Sequence, residues 1–127
     1  MRNFIIPLIV IFFLVSCSKD TPTPTPATVT IYGKWNIVKY QEIFNSAVVL
    51  NYIGKPNDYL QFNSNNSYVL YADSALESGI FEINGSILVF DTTDVWDVST
   101  LSSSEATLER NEITPSGIER FVFYLKR

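Results

Sequence analysis

The sequence predicts an all-β fold, and its simplest form is a closed antiparallel barrel of about eight strands. Residues 31–127 consist of short runs in which aromatic and β-branched residues alternate with polar ones. Turn-forming residues interrupt these runs at near-regular spacing, and no segment of this region has the period of a long amphipathic helix. Strands joined by tight turns form a meander, and closing the meander into a barrel removes its unpaired edges. A β-sandwich is the alternative fold.

Nine segments carry the strand pattern, and polar, glycine or proline residues bound each of them. In the first segment, Ile31, Gly33, Trp35 and Ile37 are expected to share one face. Residues 73–77 are predicted to form a loop. In chain order, the predicted strands are 31–43, 47–53, 58–62, 67–72, 79–83, 86–91, 95–101, 106–112 and 119–126.

The sharpest local signal is the Asn84-Gly85 pair between two of these segments. Asn-Gly suits the two positive-φ positions of a type I′ hairpin turn. Such a turn would pair Phe81 with Leu88, and it would place both side chains on the same face as Phe90.

The composition excludes several classes of function. The 127 residues include no histidine and one cysteine, and the net charge is −4. Nucleophilic triads need an imidazole, zinc sites draw on Cys and His, and an acidic chain does not attract a phosphate backbone. We therefore expect no enzymatic activity, no cofactor and no nucleic-acid partner. Asp91, Asp94 and Asp97 lie close together in sequence but lack the spacing of a calcium-binding loop, so we expect no metal site.

The N-terminal segment has the pattern of a secretory leader. A short basic start precedes an apolar run from residue 4 to residue 15, which is too short for a transmembrane helix. The run ends Leu14-Val15-Ser16-Cys17, which resembles a bacterial lipobox. The resemblance implies that residues 1–16 are a lipoprotein signal peptide and that Cys17 carries acyl chains, palmitate included. Several chains on one residue anchor a protein stably in a membrane.

Residues 17–30 are predicted to form a tether between the acylated Cys17 and the folded domain. A Thr-Pro repeat occupies residues 21–26, and alternating prolines favour an extended, polyproline-like spacer. Ser18, rather than Asp, follows the cysteine, which resembles the outer-membrane class of Gram-negative lipoproteins. We expect a lipid-anchored protein of the cell envelope, on either the periplasmic face or the cell surface.

The domain at residues 31–127 resembles the short lipocalin-like lipoproteins of bacteria. Gly33-Lys34-Trp35 is similar to the Gly-x-Trp signature that opens the first lipocalin strand. Residues 58–62 (Asp-Tyr-Leu-Gln-Phe) are similar to a second strand motif, and residues 79–85 match a glycine-aromatic hairpin loosely. The larger lipocalins have longer strands and a C-terminal helix, which this chain lacks.

The resemblance implies specific roles for four residues. Trp35, preceded by Gly33, would close the floor of the barrel. Lipocalins also place an arginine across this tryptophan, and Arg110 and Arg120 are the two candidates here.

Inward-facing aromatic residues are the candidates for a ligand pocket, because small-molecule sites are lined mainly by apolar side chains. The alternative role for these residues is core filling, since an eight-stranded barrel is just wide enough for its own side chains. The candidates are Phe62, Phe81, Phe90, Trp96, Phe121 and Phe123.

Two functions remain open at this point. The first is noncovalent binding of a small hydrophobic or amphipathic ligand inside the barrel. The second is a non-enzymatic scaffold that binds an envelope protein or glycan through its outer face or loops, for which Tyr59, Tyr71 and Tyr124 are candidate contacts.

Overall fold

A computed structural model describes residues 28–127, which form nine antiparallel strands. The predicted leader, the predicted acylation site Cys17 and most of the predicted tether lie outside these described residues. Within them, no helix is long and apolar enough to cross a membrane. The strands are β1 (Gly33–Phe44), β2 (Ala47–Ile53), β3 (Tyr59–Phe62), β4 (Ser67–Ala72), β5 (Ala75–Asn84), β6 (Ile87–Phe90), β7 (Asp94–Leu101), β8 (Glu105–Thr114) and β9 (Gly117–Lys126).

Eight of these strands close into an up-and-down barrel. β1 pairs with β3, neighbouring strands then pair in order as far as β9, and β9 pairs with β1. This closure confirms the predicted all-β barrel and excludes the sandwich. β2 is the extra strand: it forms a hairpin with the second half of β1, and within residues 28–127 it pairs with no other strand.

One end of the barrel is closed by a packed aromatic core. Trp35 is fully buried, and its Nε1 donates a hydrogen bond to the Ile31 carbonyl at 2.6 Å. The rings of Phe62 and Phe81 meet edge to face, with their centroids 5.0 Å apart. Burying each large apolar side chain contributes about 1.5–3 kcal/mol, so these side chains stabilise the closed end. Leu60, Leu88, Ala106, Leu108 and Leu125 also belong to the buried core.

Arg127 is the arginine that covers Trp35, so the expectation for Arg110 or Arg120 is wrong. Its guanidinium lies 3.9 Å from the centre of the Trp35 ring, and Nη2 donates to the carbonyls of Thr30 and Tyr32. The reason is topological: β9 runs antiparallel to β1, so the residue after β9 arrives beside the start of β1. Arg110 on β8 and Arg120 on β9 lie toward the other end of the barrel.

A β-bulge in β1 changes which side chains face the interior. Ile37 pairs with Leu125 and Lys39 pairs with Tyr124, so Val38 is an extra residue against β9. Beyond the bulge, Tyr40 faces inward. As predicted, Trp35 and Ile37 face the interior. After the bulge, the inward-facing positions of β1 are displaced by one residue from the predicted alternation.

Two local predictions need correction. In the β5–β6 hairpin, Phe81 pairs with Phe90 rather than with Leu88, and the turn residues are Gly85 and Ser86. Only Gly85 has a positive φ (62°) in this turn, as a type II′ turn requires. The shift is two residues, so Phe81, Leu88 and Phe90 still share the inner face. The predicted loop at 73–77 is also wrong, because β5 begins at residue 75 and leaves only a two-residue turn.

Candidate functional site

An apolar notch of about 240 Å³ opens at the end of the barrel opposite Trp35. Its position follows from the short partner of β1: β3 pairs with residues 33–36 only, and β2 takes over from residue 39 onward. The wall is therefore interrupted between β2 and the β4–β5 turn. The notch is lined by Ile37, Tyr40, Leu50, Tyr52, Ala72, Asp73 and Phe123.

The aromatic floor of the notch connects it to the core. Tyr40 and Phe123 are paired across β1 and β9, and their ring centroids are 4.6 Å apart. Phe123 in turn lies 5.5 Å from Trp96. Aromatic pairs at such distances contribute about 0.5–1.5 kcal/mol beyond burial, so the floor is a rigid apolar surface.

Asp58 holds the two sides of the notch together. Its carboxylate accepts hydrogen bonds from the Tyr52 hydroxyl on β2, from the Lys55 backbone N–H at 2.7 Å and from the Asp73 backbone N–H at 3.3 Å. The Tyr52 hydrogen bond, followed by those from the two backbone amides, lowers the pKa of the Asp58 carboxyl. Because the side chain is only 2% exposed, this carboxylate fixes the β2–β3 connection to the β4–β5 turn.

A charged group lies beside the aromatic floor. Arg110 forms ion pairs with Asp94 and, at 3.0 Å, with Glu112. Its guanidinium also lies 4.4 Å from the centre of the Phe121 ring and 5.3 Å from that of Trp96. The Arg110 Nε is buried and makes no hydrogen bond within the described residues. Arg110 therefore supports the Trp96 and Phe121 rings from the polar side of the open end.

Two tyrosines direct their hydroxyls at carboxylates in the same region. The Tyr40 hydroxyl donates to Glu42 at 3.1 Å, and burial together with Glu42 raises the pKa of Tyr40 well above its usual value. The Tyr68 hydroxyl lies 2.8 Å from both Glu77 and Asp91, and burial followed by these two carboxylates raises the pKa of Tyr68. Both phenols stay protonated at neutral pH and act as hydrogen-bond donors.

Negative charge is concentrated at this open end. Residues 28–127 contain twelve Asp or Glu and seven Lys or Arg. Eight of the carboxylates lie at the open end, but only three of the cations, Lys55, Arg110 and Arg120. Because charges of one sign at the mouth of a cleft attract ligands of the other sign, this end favours cationic groups over anionic ones. The carboxylates are Glu42, Asp58, Asp73, Glu77, Asp91, Asp94, Glu112 and Glu119.

The structure divides the six predicted pocket residues into two groups. Phe62, Phe81 and Phe90 belong to the buried core around the closed end, and none of them lines the notch. Phe123 lines the notch directly. Trp96 and Phe121 lie behind it, packed against Phe123 and Arg110 respectively. Gly33 and Trp35 lie at the closed end.

The sequence analysis missed most of the residues that line the notch. Tyr40 was missed because the bulge at Val38 changes the inward face of β1. Tyr52 faces inward because it pairs with Tyr40 across the β1–β2 hairpin. A register for this hairpin, set by the Asn45-Ser46 turn in which both residues have positive φ, is the signal that would have placed the two tyrosines together.

A second depression, of about 520 Å³, lies on the outer wall. It carries no aromatic side chain, and the Asn45-Ser46 turn forms part of its boundary. We do not assign a ligand to it. Its lining residues are Ile43, Asn45, Ser46, Asn111, Ile118 and Arg120.

The geometry of the notch suits binding rather than catalysis. It offers an apolar floor, the phenols of Tyr40 and Tyr52 and a negatively charged rim, without a paired nucleophile and base among the described residues. Comparisons with protein-family models and with curated protein sequences find no match to this chain.

Proposed function

We propose that this protein is a lipid-anchored, lipocalin-like lipoprotein of the outer membrane that binds a small amphipathic ligand noncovalently in the notch. The observation that carries the proposal is the apolar opening over the Tyr40 and Phe123 rings. Concave apolar sites with a few placed polar groups are the usual form of small-molecule sites. No covalent step and no cofactor are part of the proposal.

The size of the notch limits the ligand. Sites for drug-sized molecules span about 300–1,000 Å³, whereas the notch measures about 240 Å³. Only a short apolar group can enter, while the polar part of the ligand stays at the rim. Because that rim is rich in carboxylates, the polar part is cationic or neutral.

The binding experiment compares ligands that share one apolar group. The full chain in lipid nanodiscs is titrated with hexylamine, hexanol and hexanoate at neutral pH, and binding is followed by tryptophan fluorescence and native mass spectrometry. Trp96 reports on the notch because its ring lies 5.5 Å from Phe123. We expect hexylamine to bind more tightly than hexanol, and hexanoate to bind most weakly. Equal binding of the three compounds would contradict the charge argument.

A pair of matched variants tests the site. Ala72→Phe fills the notch, whereas Leu76→Phe places the same ring on the outer face of β5, where Leu76 is 68% exposed. We expect Ala72→Phe to abolish hexylamine binding and Leu76→Phe to preserve it. If neither variant changes the affinity, the ligand does not occupy the notch and the proposal fails.

The membrane anchor is tested separately. The lipobox pattern and the single cysteine support acylation at Cys17. Cells that express the full chain are labelled with an alkyne analogue of palmitate and fractionated. We expect label on the wild type in the outer-membrane fraction and none on Cys17→Ala. Unlabelled wild-type protein would rule out the anchor without affecting the ligand proposal.

A further inference from the structure

The outer edge of β2 is an unpaired strand edge. The Gly54 N–H donates to a carbonyl of β1 at 3.0 Å. Because backbone groups alternate in direction along an antiparallel strand, Tyr52 and Leu50 also turn theirs toward β1. Asn51 and Ile53 therefore turn their N–H and C=O groups away from the barrel, where no strand of residues 28–127 pairs with them.

This edge lacks the features that usually protect an edge strand. Proteins guard such edges with charged residues, prolines or very short strands. β2 has seven residues, Ala-Val-Val-Leu-Asn-Tyr-Ile, with neither a charge nor a proline. Val48, Val49, Leu50 and Ile53 are 41–63% exposed. An open row of donors and acceptors flanked by exposed apolar side chains is suited to pairing with another extended chain.

We propose that β2 binds an extended, positively charged peptide segment of a partner protein as an additional strand. The backbone edge requires an extended partner, and the notch beside it selects one apolar side chain. The charge of the open end selects the flanking residues. Glu42 and Asp58 accept hydrogen bonds from the notch tyrosines, and Asp73 lines the notch and pairs with Lys55. Lysine or arginine on the bound segment complements this charge.

A second copy of the chain is a poorer partner for this edge. Pairing β2 with β2 would join two domains that each carry twelve carboxylates and only seven cations. Like charges facing each other across an interface oppose association. The charge distribution therefore favours a different, basic partner.

The notch gives the added strand its register. On a strand paired with β2, alternate side chains face inward beside Leu50 and Tyr52. One of them can enter the notch, whose floor is Tyr40 and Phe123. This proposal does not depend on the small-ligand proposal, although the two occupants compete for the notch. A strand requires the β2 edge, whereas a small ligand requires only the notch.

The experiment uses the full chain in nanodiscs and a fluorescent synthetic peptide. In the peptide, Val and Thr alternate over six positions between pairs of lysines, and a matched peptide carries glutamates instead. We expect the lysine peptide to bind at least about tenfold more tightly and to weaken as salt is added, because screening reduces the charge attraction. Hydrogen exchange should slow within residues 47–53 when the lysine peptide is bound.

Two substitutions at Asn51 separate the edge from the side chain. Asn51→Pro removes an N–H that does not pair with β1, and proline is tolerated at such edge positions. Asn51→Ala keeps the N–H and removes only the side chain. We expect Asn51→Pro to weaken peptide binding about tenfold or more and Asn51→Ala to change it less than twofold. The circular dichroism spectra of both variants should match that of the wild type, which verifies that the barrel is intact.

Val49→Lys is a second test that leaves the backbone unchanged. The residue is 63% exposed on the edge strand, and a lysine there repels the basic peptide. Loss of peptide binding in this variant and in Asn51→Pro supports the proposal. Three results would overturn it: full binding by both variants, equal affinity for the two peptides, or protection of residues 47–53 that rises with protein concentration in the absence of peptide. The last result would identify a second copy as the occupant.

Discussion

The strongest test of how the open end is built is the removal of the Asp58 carboxylate. This side chain is buried and accepts hydrogen bonds from Tyr52, Lys55 and Asp73. Asp58→Ala leaves all three donors without that acceptor. A hydrogen bond to a charged group contributes about 1.5–3 kcal/mol, but the Asp73 contact is long and the half-buried Tyr52 hydroxyl can bond to water instead. We therefore expect a total loss of about 3 kcal/mol.

The assay is thermal unfolding of the purified protein followed by circular dichroism. For a domain of this size, 1 kcal/mol corresponds to about 4–8 °C in Tm, so Asp58→Ala should lower Tm by about 12 °C or more. Tyr52→Phe removes one donor only and should cost about 1 kcal/mol. Asp97→Ala is the control, because Asp97 is exposed on the outer wall and should change stability by less than about 0.5 kcal/mol. If Asp58→Ala is as stable as this control, the reasoning is refuted.

Three further predictions follow from the same structure. Because the pKa of Asp58 is lowered on folding, its stabilisation is complete above about pH 4–5 and is lost as pH falls through the folded pKa. The difference in free energy of unfolding between wild type and Asp58→Asn should therefore shrink in acid. A constant difference would contradict this. Arg127→Ala should cost about 1–2 kcal/mol and shift Trp35 fluorescence to the red, and unchanged fluorescence would show that the guanidinium does not cover the ring. Gly54→Ala should cost about 3 kcal/mol, since its Cβ would lie 1.8 Å from a β1 carbonyl oxygen. Gly85→Ala, at φ 62° with open space around it, should cost about 1 kcal/mol. Equal unfolding midpoints of the two variants in urea would refute the distinction.

The sequence predicted the fold because alternation is clearest where the barrel interior is apolar. Trp35, Phe62 and Leu88 face the core at the closed end, and their strands were placed correctly. At the start of β5, near the open end, the inward positions are polar, so the same rule fails. Glu77 faces inward to meet Tyr68, while Leu76 faces outward and is 68% exposed. A polar residue that faces inward beside an apolar residue that faces outward is not the pattern of a predicted strand. The start of β5 was therefore predicted as a loop.

The candidate site was less predictable than the fold because long-range pairing determines it. The notch exists because β1 changes partners from β3 to β2, and neither strand alone signals that change. The arginine that packs on the Trp35 ring is also placed by long-range pairing. Arg127 reaches the ring only because the barrel closes, and no spacing within the sequence links the two residues.

The pairing of β1 with β9 also determines when this domain can fold. Asn36 pairs with Lys126, so the longest-range contacts of the barrel join its first strand to its last. Folding rates fall as contacts become more distant in sequence, because the entropy of closing the loop is lost before the contacts form. During synthesis, β1 and β8 remain open edges until β9 emerges. Folding must therefore follow synthesis of the last strand, and a chain truncated before residue 117 would expose two strand edges to aggregation.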